Sequence, residues 1–368
     1  MLIDTTLREG AQLFGAYFRM ETREDILSGL LRLGVDEVEV GWVGQEGLEE
    51  LVRRIRHGAG ETKLSVWSPC RSADIRTAAT LGVDRVNIGI PVSDAHMGKR
   101  LGLNRKGLLE KLGRMVLSAG LAGINYVSVG LEDVSRADRS FALDAALLAQ
   151  TMGASRIRLA DSLGVLSPRD MCELVAAFRM HLDIPVAVHC HNDFGMATAN
   201  AVSALQSGAT FADVSVLGIG ERSGIAATEE LAAYMAVRGG DVKYRVEYLR
   251  DLCALVAGAA GVDIPRNKAV AGADIFACES GLHAHALSKS PELFEPYDPA
   301  LIGADRKTAV GGKSGRAAVS SALGKGKTAY PAEQLDNLVA SVRRMSWELG
   351  RPLTPNEFTD LADSIHKH

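Results

Sequence analysis

The feature that most constrains this chain is a rhythm. Short β-branched or apolar runs recur about every 25 to 35 residues over the first 240 positions, and amphipathic stretches separate them. Eight runs read as strands: Leu2–Thr6, Glu37–Gly41, Lys63–Trp67, Arg85–Ile90, Tyr126–Val129, Ser155–Ala160, Pro185–Cys190 and Asp213–Leu217. Arg23–Leu33, Arg105–Ala119 and Pro168–His181 read as helices between them. A doubly wound open sheet uses the same alternation, but eight repeats suit a closed (β/α)₈ TIM barrel better. The expected division is a catalytic barrel over residues 1–240 and C-terminal linker subdomains over 241–368. In the second part Tyr244–Ala260, Pro331–Leu349 and Thr354–Ile365 read as helices, the last opening on a Thr-Pro N-cap.

Composition narrows the function classes. Lys and Arg number 41 against 45 Asp and Glu, a net charge of -4, which gives no electrostatic reason to expect nucleic acid. No apolar run approaches the roughly 20 residues that span a bilayer. Five scattered cysteines with no CxxC pair suggest neither a disulfide framework nor a four-thiolate zinc site. A cytoplasmic protein is expected.

Barrels place chemistry at the C-terminal ends of strands, and polar residues gather there in this sequence. The first strand runs into Asp4-Thr5-Thr6-Leu7-Arg8-Glu9-Gly10, the seventh into His189-Cys190-His191-Asn192-Asp193, the eighth into Gly218-Ile219-Gly220-Glu221-Arg222. His189 and His191 are two apart on a strand, so both imidazoles point to one side, where they form half of a metal chelate. Glu9 or Asp4 could supply a carboxylate. The Gly218–Gly224 segment lacks the third glycine of a dinucleotide fingerprint, so it serves either to turn the chain tightly over the metal or to let a phosphate approach backbone N–H groups. Glu132 and Asp133 close the fifth strand, where one can orient or act as a base while the other caps a turn.

Four ordered motifs, DTTLREG (Asp4–Gly10), HCHNDFG (His189–Gly195), GIGERSG (Gly218–Gly224) and CESGLHAHAL (Cys278–Leu287), closely resemble the 2-isopropylmalate synthase and homocitrate synthase family of acyl-CoA-dependent condensing metalloenzymes. The segments Val127–Asp138 and Arg158–Leu166 look most like the homocitrate synthases that serve nitrogenase cofactor assembly. The resemblance implies an acyltransferase that condenses acetyl-CoA with a 2-oxo acid and then hydrolyses the thioester. Its residue pattern implies Glu9, His189 and His191 as ligands of a divalent metal (Zn, Mn, Co, Fe or Mg). It implies Arg8, Glu132 and His283 as catalytic groups, and Gln12 and Ser162 as substrate contacts. His283 would reach over from the partner in a homodimer with swapped C-terminal segments.

Two departures stand out. The family's tyrosine after that histidine is Phe294, with Tyr297 nearby as a possible relay. The arginine that grips the far carboxylate of 2-oxoglutarate in lysine-type enzymes is Ser128, so Arg71 or Arg158 is expected to replace it, with Glu39 as polar lining. Homocitrate formation from 2-oxoglutarate is the leading expectation. The same chemistry on oxaloacetate, pyruvate or 2-oxoisovalerate is the alternative, and a metal-dependent aldolase-type lyase is a more distant one.

Overall fold

A computed structural model describes residues 1–240, 242–279, 290–324 and 330–366. It divides into two compact units, Met1–Ile264 and Pro265–His368.

In the first unit eight parallel strands close into a barrel in sequence order. They are β1 (Leu2–Asp4), β2 (Glu37–Trp42), β3 (Lys63–Pro69), β4 (Arg85–Pro91), β5 (Val127–Glu132), β6 (Arg156–Asp161), β7 (Val186–Cys190) and β8 (Phe211–Val214). Strands covered on both faces can be apolar throughout, and β7 (Val186-Ala187-Val188-His189-Cys190) is buried at every position. β8 ends at Val214 rather than extending to Leu217, because Ser215 starts a turn in which Leu217 takes a positive φ of 61°. The helices hold the expected cores with adjusted ends. Pro168–Arg179 begins at a capping box, in which Ser167 Oγ accepts from Asp170 N at 3.3 Å and Asp170 Oδ2 accepts from Ser167 N at 3.0 Å. Leu249–Ala260 belongs to this first unit and packs on Met20–Leu33.

Charged residues occupy the barrel interior. Glu37, Arg85, Arg156 and Phe211 are the first residues of β2, β4, β6 and β8, one layer contributed by alternate strands. Arg156 donates to both oxygens of Glu37, at 2.7 and 2.9 Å, and to Ser128 Oγ at 3.1 Å. Arg85 adds a third donor to Glu37 at 2.6 Å. The Arg156 guanidinium also lies 5.4 Å from the Tyr126 ring centre and 4.9 Å from that of Phe211. Since β2 and β6 are not neighbours, this pairing crosses the lumen.

The second unit has its own apolar core, in which Val310, Val319, Leu338, Val342, Leu353 and Phe358 pack together. Its helices are Arg316–Leu323, Ala332–Leu349 and Pro355–His366. The last starts as the sequence suggests, with Thr354 Oγ1 accepting from Glu357 N. Among the described residues no helix is long and apolar enough to cross a membrane.

Candidate active site

Two residues along each even strand lies a second layer: Glu39, Asn87, Arg158 and Asp213, all at least 98% buried. Arg8 Nε donates to Glu39 Oε2 at 2.7 Å, and Arg158 Nη1 donates to Glu39 Oε1 at 3.0 Å. Arg158 Nη1 also lies 3.1 Å from Asp213 Oδ2. Asp213 Oδ2 in turn accepts from His189 Nδ1 at 2.8 Å. Arg8 Nη1 bonds Glu9 Oε2, so alternating charges run Glu9, Arg8, Glu39, Arg158, Asp213, His189.

The two ends of that chain meet. His189 Nε2 is 3.3 Å from His191 Nε2 and 3.9 Å from Glu9 Oε2. A nitrogen or oxygen from each of Glu9, His189 and His191 falls within 4.8 Å of the others. The Asp213 carboxylate fixes the His189 proton on Nδ1 and leaves an Nε2 lone pair facing the cluster, as metal-binding histidines require. Burial pushes the His191 imidazole down to about 3, helped by the neighbouring His189, so His191 stays neutral. Burial alone would raise the Glu9 carboxyl, but the Arg8 guanidinium and the N–H donated by Glu221 hold it below its ordinary value. The donor set, two imidazoles and a carboxylate, fits a divalent cation with open positions.

Asp4 is not in the cluster. It accepts from Thr6 N and Thr228 Oγ1, and burial raises it to about 6. The β8 glycine turn lies over Glu9 instead: Glu221 N donates to Glu9 Oε1 at 3.0 Å, and a Cβ on Gly220 would come within 2.9 Å of Glu9 Cγ.

A cavity of about 350 Å³ opens above this layer. Arg8, Glu9, Gln12, Glu132, Arg158, Ser162, His189 and His191 line it together, as do Trp67, Asn87, Gly89, His96, Arg100 and Arg222. Ser162 Oγ accepts from Asp133 N at 2.8 Å. Of the two carboxylates, Asp133 stands at an N-cap position with φ 58° but makes no capping hydrogen bond, its side chain being held by Ser93 and Arg136, while Glu132 faces the cavity.

Other expected residues fall elsewhere. Glu39 does not line the cavity, because Arg8, Arg158 and Asn87 surround it and it acts as their anchor. Arg71 is outside as well: β3 runs on to Pro69, which turns Arg71 outward to pair with Asp74 at 2.6 Å, with its side chain two-thirds exposed. Tyr297 lies in the second unit, edge-on to Phe276. His283 lies outside the described residues.

Sequence reasoning missed Asp213, Asn87, Trp67 and Arg100. The signal for the first was present, since Asp213 shares strand parity with Phe211 and interrupts an apolar strand, where an acid must be paired.

A family model described as HMGL-like matches residues 1–256, and one described as homocitrate synthase post-HMGL domain-like matches residues 270–348. The chain belongs to the 2-isopropylmalate synthase and homocitrate synthase family. It is 38% identical to homocitrate synthase 1 of Nostoc sp., covering 98% of this chain and 96% of that one. Against 2-isopropylmalate synthase 2 of Caldanaerobacter subterraneus it is 36% identical, covering 99% and 95%. A 2-phosphonomethylmalate synthase of Streptomyces rubellomurinus is 34% identical, covering 98% and 97%. Among solved structures, an HMG-CoA lyase of Bacillus subtilis matches with a TM-score of 0.66 at 19% identity, over 72% of this chain and 95% of that one, a likeness of fold. Family members of comparable identity thus bear the names of different products, and the choice of acceptor rests on the cavity.

Proposed function

We propose that this chain is a homocitrate synthase, condensing acetyl-CoA with 2-oxoglutarate and hydrolysing the thioester to release CoA. The observation that carries the choice of acceptor is Arg158. Its Nη1 is held by Glu39 and Asp213, but its Nε and Nη2 are buried and have no hydrogen-bond partner among the described residues. Buried guanidinium donors are costly to leave unmatched, and a carboxylate is the group whose two oxygens suit them. An isopropyl group would leave both Arg158 donors unsatisfied.

Glu9, His189 and His191 would hold the divalent cation. When bound, it supplies Lewis-acid polarisation of a carbonyl. Arg8, with Nε and Nη1 committed to Glu39 and Glu9, presents its remaining edge to the 2-oxo acid and neutralises the alkoxide that forms at C2. Glu132 takes a proton from the acetyl methyl group, the resulting carbon attacks C2, and water then cleaves the thioester. The family pattern adds His283 from a second copy, so activity is assigned to a homodimer.

The test follows free thiol released from acetyl-CoA with 2-oxoglutarate, oxaloacetate, pyruvate and 2-oxoisovalerate, in the presence of a divalent metal. Release is expected chiefly with 2-oxoglutarate. Arg158→Ala should raise the KM for that acid roughly 10- to 100-fold, the value of a charge-assisted hydrogen bond, with little change in the KM for acetyl-CoA. A preference for 2-oxoisovalerate, or equal effects on both KM values, would refute the assignment.

A further inference from the structure

Four arginines line the cavity, and three are each anchored by two partners. Arg8 is held by Glu9 and Glu39, Arg158 by Glu39 and Asp213, and Arg222 by Asp193 and the Ser162 carbonyl. The fourth, Arg100, is different. It sits on a single wide turn, Met97–Leu101, after β4, and its one hydrogen bond among the described residues is from Nη1 to Glu132 Oε2 at 2.7 Å. Its side chain is about half exposed at the cavity mouth, and its Nε and Nη2 carry no such bond. The other oxygen of Glu132, Oε1, lies over Gly89, where a Cβ would approach it to 2.5 Å. Glycine at 89 is what lets the carboxylate lie flat on the cavity wall.

We infer that Arg100 is a catalytic residue that donates to the thioester oxygen of acetyl-CoA while Glu132 removes the methyl proton. A carbon acid next to a thioester is deprotonated only if charge developing on the carbonyl oxygen is met by a donor already in place. Here a cation touches the base itself, so one acetyl group can present its methyl to the carboxylate and its oxygen to the guanidinium. The proton passes from the methyl carbon to Glu132. The C–H electron pair forms the carbon–carbon double bond, and the carbonyl pair moves onto the oxygen that Arg100 binds. When the carbon attacks C2 of the acceptor, the thioester carbonyl reforms and Arg100 is released. The Arg100 side of the pair is half exposed and two of its nitrogens, Nε and Nη2, make no hydrogen bond among the described residues, so an incoming oxygen can share the guanidinium without disrupting the fold. The turn stays anchored by buried Met97, which accepts from Leu103 N at 3.0 Å, and by Arg105–Asp94.

The inference rests on Glu132 being the base, and the experiment separates the two. Turnover with acetyl-CoA and with its trideuterated methyl form is measured for wild type, Arg100→Gln, Arg100→Lys and Glu132→Gln. For Arg100→Gln, kcat should fall about 100-fold, as for removal of one oxyanion donor. That variant should show a full primary isotope effect, with the KM for the 2-oxo acid within about twofold of wild type, and Arg100→Lys should recover part of the rate. Undiminished kcat in Arg100→Gln, or a loss without an isotope effect, overturns the role of Arg100. Undiminished turnover in Glu132→Gln overturns the assignment of the base instead.

Discussion

The two polar layers inside the barrel are built alike and behave differently. Glu37, Arg85 and Arg156 start β2, β4 and β6, and Glu39, Asn87 and Arg158 follow two residues later on the same strands. In the lower layer Glu37 receives three donated hydrogen bonds and Arg156 is saturated by Glu37, Ser128 and two aromatic rings. In the upper layer Arg158 keeps two donors, and Asn87 and Asp213 one acceptor each, that nothing in the described residues satisfies. The lower layer is complete without a ligand, and the upper one is complete only with one. Charged groups inside a barrel do not by themselves signal chemistry; unmatched ones do.

The largest effect should come from breaking the complete layer. Glu37→Gln leaves Arg156 buried without its counter-charge and should cost about 3–5 kcal/mol of unfolding free energy in urea titrations, while the KM for the acceptor stays within about twofold. A large KM change would mean that the layers are not separable. Arg158→Ala should also destabilise the fold, since it leaves Asp213 buried without its cation, but unlike Glu37→Gln it should raise the acceptor KM as stated above. Next in size, Asp213→Asn weakens the hydrogen bond that orients His189 and should lower metal affinity about 10- to 100-fold by competition with a chelator; unchanged affinity would detach the upper layer from the metal site.

The smallest effect is in pH. Burial alone would raise Glu37, but Arg156 and Arg85 outweigh it and bring it to about 2, below its usual 4.5. A lowered carboxyl contributes stability that is present above its unfolded value and lost as pH falls toward its folded one. The stability gap between wild type and Glu37→Gln should therefore be full above about pH 5 and shrink toward pH 2. A gap that is flat across this range would show that Arg156 is not the cause.

Much of this was legible in the sequence. All eight strands and the pairing of His189 with His191 follow from period-two spacing and strand-end placement, because those rules act over a few residues, whereas the choice of Glu9 over Asp4 came from the family resemblance. The acid–arginine pairs were not legible as pairs. Glu37 and Arg156 are 119 positions apart, as are Glu39 and Arg158, and only closure of the barrel decides which acid meets which base. Arg71 misled for a local reason: β3 runs two residues further than its pattern suggests, and that turns the side chain outward. Glu39 was read as pocket lining from its place on the second strand, yet a place on a strand does not say how deep a residue lies. Arg100 had no local signal, since a lone arginine in a loop reads as a solvated charge.

The run of charges from Glu9 through Glu39 and Arg158 to His189 also bears on how this enzyme can be altered. Any replacement of Arg158 frees Glu39 and Asp213 together, and these hold Arg8 and His189. Retuning the acceptor by swapping that charge would thus disturb the catalytic groups as well. Gly130 offers a route that leaves the wiring alone. It lines the cavity beside Gly89 on β5, and a Cβ there would meet only ordinary contacts at 3.7 Å or more. Laboratory variants that trade one 2-oxo acid for a smaller one should arise first at this uncharged, roomy position.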